Sequence, residues 1–136
     1  MNKENIRWKQ RFVNFDRAVS LLEEGVSLGT DVPNIQKEGV IKRFEYTFEL
    51  AWKVLKDYME YGGIEANLPR EIIKQAFANG LIKDGAIWFD MLEKRNLIVH
   101  NYDEKSFELV FKLITSKYFS AIKQLHELLS KKKLEA

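Results

Sequence analysis

Residues 34–61 read NIQKEGVIKRFEYTFELAWKVLKDYMEY, and this stretch decides the fold. Val40, Ile41, Phe44, Phe48, Ala51, Leu55 and Tyr58 recur at helical spacing along one face. Tyr46, Leu50, Trp52 and Val54 add apolar bulk on other faces. A helix that is apolar on more than one side is buried on more than one side. This one belongs either at the centre of a bundle or at a subunit interface. Gly62 and Gly63 end it.

Working outward, the flanking segments carry the same period. From about Asn5 to Glu24, Trp8, Phe12, Phe15, Val19 and Leu22 form one stripe, and Gly25 stands where a helix C-terminal glycine belongs. Loop residues from Gly29 to Asn34 follow. Pro69 suits the first turn of a short helix carrying Ile72, Ile73, Ala76 and Phe77, closed by Asn79 and Gly80. Lys83, Asp84 and Gly85 make a turn. A fourth helix starts near Ala86, with Trp88, Phe89, Leu92 and Leu97 inward, and fades near Asn101. Asp103 is placed to cap a fifth helix, with Glu104 in its first turn. Phe107, Val110, Phe111, Ile114, Tyr118, Ala121, Ile122 and Leu125 then run as a stripe toward Lys131, and the basic tail Lys131, Lys132, Lys133 is expected to fray. No segment alternates with period two for the length of a strand. The expectation is a single all-α domain over 1–136, an up-and-down four-helix-type bundle with a short extra helix.

Composition narrows the function. The chain has 136 residues, 46% hydrophobic and 31% charged, as an ordinary globular domain does. It has no cysteine and two histidines, His100 and His126, which removes a disulfide framework, a thiolate zinc site and a histidine-rich metal centre. Twenty-two basic residues against 20 acidic ones give a net charge of +2, too even to argue nucleic-acid binding from the global field. No signal peptide opens the sequence and no apolar run reaches the ~20 residues of a membrane span, so a cytoplasmic protein is expected.

Phosphate loops, nucleophile elbows and zinc-protease motifs are all absent from the sequence. Carboxylate pairs such as Glu23 with Glu24, or Glu45 with Glu49, read as solvated faces or ion-pair partners. His126, among Leu125, Leu128 and Leu129, reads as structural or exposed. The stretch from Arg95 to Tyr102, RNLIVHNY, is different. It gathers a guanidinium, a carboxamide, an imidazole and a phenol at the end of the fourth helix. Asn96 and His100 are four apart and share a face, with Arg95 one position off it. A histidine can take the proton of a ribose 2′-hydroxyl, and an arginine fork can stabilise charge on a phosphate. Asn96 can orient either group. Such a set suffices for RNA cleavage without a metal or cofactor, and a symmetric dimer would supply a second His100 as general acid. The same residues also admit a plainer role, in which Arg95 and Asn96 cap carbonyls and pair with Glu93 or Asp90, while His100 and Tyr102 finish an interface. Lys94, Arg95 and Lys105 would form whatever local basic patch RNA meets.

Arg95, four residues, His100, one residue and Tyr102 match the R-x4-H-x-Y signature of the HEPN family. The chain resembles its nucleotidyltransferase substrate-binding protein branch more closely. That resemblance rests on residues 43–58 (RFEYTFELAWKVLKDY), on Pro69, Arg70 and Glu71 with residues 76–82, and on Trp88 with residues 91–96. It implies a dimerising helical bundle that partners a minimal nucleotidyltransferase. In the toxin–antitoxin form it implies a metal-independent ribonuclease with Arg95, Asn96 and His100 at its site, silenced when the partner transferase adenylylates Tyr102. The alternative form is a non-catalytic substrate-binding or regulatory subunit of a two-component nucleotidyltransferase. The surplus apolar surface of Tyr46, Leu50 and Trp52 agrees with a homodimer. Binding of a free nucleotide in a cleft is a third reading.

Overall fold

A computed structural model describes residues 2–100 and 103–135. Among these residues five helical stretches follow one another: α1 (Lys3–Val26), α2 (Asn34–Tyr61), the short α3 (Pro69–Ala78), α4 (Gly85–His100), and a last one built from α5 (Glu104–Leu113), a π-helical turn (Ile114–Tyr118) and α6 (Phe119–Glu135). No strand occurs among the described residues. The expected all-helical bundle is what the chain forms.

α1 and α2 make a long hairpin, and α6 packs along α1. Trp8, Phe12, Phe15, Val19 and Leu22 of α1 meet Phe44, Phe48, Ala51 and Leu55 of α2 and Ile114, Tyr118, Ile122 and Leu125 of the last stretch in one core. These are the stripes the sequence displays. α2 is buried on more than one side, because Val54 is fully enclosed and Leu50 and Trp52 lie partly buried against the same core. Much of its surplus apolar surface is therefore absorbed within the chain.

Several boundaries differ from expectation for local reasons. α1 begins earlier because the Asn2 side chain accepts from the amides of Glu4 and Asn5. Gly25 does not end α1; it is a buried helical residue packed against α2, and a Cβ there would lie 3.1 Å from Val40 Cγ2. The chain turns instead at Gly29, whose φ is 86°. Asp84 caps α4 by accepting from the Ile87 amide at 3.2 Å, so that helix starts at Gly85. Asp103 caps α5 as expected, through Ser106 N at 2.8 Å.

The basic tail does not fray at Lys131; α6 continues to Glu135, and Lys133 places its ammonium over the Phe12 ring. His126 is structural. Its Nε2 lies 2.6 Å from Asp16 Oδ1 and its ring stacks on Phe12, tying α6 to α1.

Nothing in the sequence pattern anticipates the π-helical turn. There the hydroxyls of Thr115 and Ser116 bond the carbonyl of Lys112, at 3.1 and 2.7 Å, where regular helical bonding is interrupted.

Candidate functional site

The site is set by which way α4 faces. Gly85, Trp88, Met91, Leu92 and Ile98 are its buried residues, and Trp88 and Met91 are three apart, so a residue at 95 falls on the same inward stripe. Leu97, expected inward, is only half-buried; Met91 and Ile98 take that role. Arg95 consequently turns toward α2 and forms an ion pair with Glu49, the two side chains being 28% and 26% exposed. Neither Glu93 nor Asp90 takes Arg95. Asp90 instead receives Lys94 at 2.8 Å and the Tyr118 hydroxyl.

A second terminal nitrogen of Arg95 donates to Asn96 Oδ1 at 3.1 Å. Asn96, Val99 and His100 are exposed. His100 is the last residue of α4. The structure thus links Arg95 to Asn96 and leaves His100 open on the same helix end. Tyr102, the remaining site residue expected from the sequence, lies outside the described residues. Of the basic patch, Lys94 and Arg95 are each tied to a carboxylate and Lys105 is exposed.

Electrostatics around α4 are dominated by Asp90. Burial alone would raise its carboxyl, but hydrogen bonds from Lys94 and Tyr118 and the charges of Lys94 and Lys117 outweigh this and hold it below the usual value. Burial, with the hydrogen bond to Asp90 and its charge, pushes the Tyr118 phenol far up, so it is a neutral donor.

Open clefts lie elsewhere. One of about 460 Å³ is lined by Thr30, Lys37, Glu108, Leu109, Phe111 and Lys112, and one of about 190 Å³ by Asn34, Glu38, Asp103, Glu104 and Phe107. Arg95, Asn96 and His100 line neither, so their groups face a surface, a form suited to an extended ligand. Among the described residues no three His, Cys, Asp or Glu side chains gather as a metal site. No described helix is long and apolar enough to cross a membrane.

The family model for nucleotidyltransferase substrate binding protein like proteins matches residues 10–131. This chain belongs to that family. Among its relatives, a Haemophilus influenzae protein called probable ribonuclease HepT is 28% identical over 78 residues, 54% of this chain. That alignment spans about half (53%) of the curated relative. A crystal structure of a Thermus thermophilus protein superposes with a TM-score of 0.76 at 31% identity, over 85% of this chain and 98% of the other. The Haemophilus influenzae protein HI0074, described as revealing the fold of a substrate binding domain of a nucleotidyltransferase, gives 0.74 at 27% identity, over 88% and 98%. The nucleotidyltransferase substrate binding family fold therefore extends over most of the chain.

Sequence reasoning missed Glu49 as a member of this site. It stands within the segment 43–58, but its spacing marks only a polar position on an amphipathic helix. The one available signal was that Arg95 shares the stripe of Trp88 and Met91, so a buried-side guanidinium needs an acidic partner on a facing helix.

Proposed function

We propose that this chain is the HEPN-type partner of a minimal nucleotidyltransferase and acts as a metal-independent ribonuclease through Arg95, Asn96 and His100. The observation that carries the reading is the end of α4, where an anchored guanidinium bonded to Asn96 accompanies an exposed imidazole on one helix. Similarity to a probable ribonuclease supports it. In the reaction His100 accepts the 2′-hydroxyl proton while the 2′-oxygen attacks the adjacent phosphorus. Arg95 stabilises the charge that grows on the phosphoryl oxygens, and Asn96 holds the guanidinium or the phosphate in register. The 5′-oxygen leaves with a proton given by a second imidazole, which a homodimer supplies as the His100 of the other copy. The products are a 2′,3′-cyclic phosphate and a 5′-hydroxyl.

Silencing follows from the same arrangement. The Tyr102 phenol oxygen, attacking the α-phosphorus of ATP in the transferase, takes up adenylate and releases pyrophosphate. An adenylate two residues from His100 would occupy the place of the RNA phosphate and repel incoming RNA. The test is growth of a bacterial host in which the chain is induced alone, beside His100→Ala. Arrest by the parent and normal growth of the variant is the expected result.

A second reading, a non-catalytic subunit that presents substrate to a nucleotidyltransferase, draws on the likeness to HI0074 and on the occupied state of Arg95, whose charge is already met by Glu49. Equal growth of parent and variant with good soluble expression favours it.

A further inference from the structure

The Glu49–Arg95 pair joins two helices whose backbones make little direct contact. Glu49 Oε1 is buried, and the carboxylate reaches Arg95 across the space between α2 and α4. Other charged neighbours on α2 are directed elsewhere: Glu45 toward Lys42, Lys53 over the Trp52 ring and Lys56 toward Glu60. Glu49 therefore serves Arg95.

We infer that Glu49 is a positioning residue for the ribonuclease site, fixing the Arg95 guanidinium so that its remaining donors face an RNA phosphate. This role rests on the ribonuclease reading above. A guanidinium has five N–H groups. The hydrogen bond to Asn96 engages one terminal nitrogen and the ion pair sets the other against Glu49, so the guanidinium is held from two sides and its remaining donors are left for phosphate. An arginine without an anchor loses its rotamer freedom on being ordered. An arginine already held loses less when substrate binds and is in place when charge develops. Asn96 alone is a neutral, exposed partner and a weaker hold. The opposite role, a brake that competes with phosphate for Arg95, predicts the reverse response to mutation.

The experiment compares the full-length parent with Glu49→Ala, Glu49→Gln, Arg95→Ala and His100→Ala on a single-stranded RNA oligonucleotide, with circular dichroism as the folding check. Glu49→Ala is expected to lower kcat about 10- to 100-fold with a smaller change in KM, as loss of a transition-state contact does. Glu49→Gln, which keeps an acceptor for the guanidinium, is expected to recover part of the loss. NMR of the Arg95 Nε–H, assigned by its disappearance in Arg95→Ala, is expected to show an ordered side chain in the parent and a mobile one in Glu49→Ala. A Glu49→Ala variant that cleaves as fast as the parent or faster, or an Arg95 side chain equally ordered without Glu49, overturns the inference while parent and His100→Ala still differ. A parent that does not cleave, or a His100→Ala that cleaves equally, overturns the ribonuclease reading and the role with it.

Discussion

Tyr118 and Asp90 bind the last helical stretch to α4: the phenol, enclosed in the core at the end of the π turn, donates to a carboxylate that also holds Lys94. The π turn matters because it presents Tyr118 to this carboxylate while the ring remains stacked on Phe44. Replacing Tyr118 by Phe keeps the stack and removes the donor. A loss of about 1.5–3 kcal/mol is expected, the range for a hydrogen bond to a charged group, toward its lower end because Asp90 keeps Lys94 as a partner. The carboxyl of Asp90 is held below its usual 3.8, so its contribution is complete above that value and is lost as pH falls through the lower folded value. Urea melts of parent and Tyr118→Phe should accordingly differ at pH 7 and converge in strong acid.

The buried carboxylate of Asp57 gives a second test. Its Oδ2 accepts from Arg11 Nε at 3.0 Å, and its side chain is 5% exposed. Arg11→Met strands that charge and should cost about 2–3 kcal/mol, somewhat below the full cost of breaking a buried pair because Arg11 reaches solvent. Replacing Asp57 by Leu in the same chain should return most of the loss. A denaturation series on the two singles and the double measures the coupling.

Two glycines inside helices predict opposite signs. A methyl at Gly39 meets nothing within 4 Å, so Gly39→Ala should stabilise α2 by about 0.5–1 kcal/mol through helix propensity. At Gly25 the methyl would press on the stiff Val40 side chain at 3.1 Å and approach Arg43. There the crowding offsets the propensity gain, and Gly25→Val should destabilise by more than ~1 kcal/mol. Thermal melts of the variants check both.

Much of this bundle is legible in the chain because its stripes are long and apolar. Phe107 through Leu125 and Val40 through Leu55 are buried where periodicity puts them. Helix ends are less legible where a side chain decides them: Asn2 and Asp84 act as caps that the periodic pattern does not mark. Gly25 misleads because a glycine near a helix end signals either a left-handed residue or a close approach, and only the neighbouring helix distinguishes the two. At the site, sequence spacing places Asn96 and His100 on one exposed face of α4. It does not supply Glu49, because a contact between helices depends on their rotation, which the buried choice of Met91 and Ile98 over Leu97 sets.

The most direct measurement is cleavage of a single-stranded RNA oligonucleotide by the purified chain in the presence of a chelator, beside His100→Ala, with the termini analysed by mass spectrometry. If His100 is the general base, the parent yields 2′,3′-cyclic phosphate ends and the variant is slower by at least about 100-fold. Equal cleavage by both proteins, or none by a folded parent, contradicts that role.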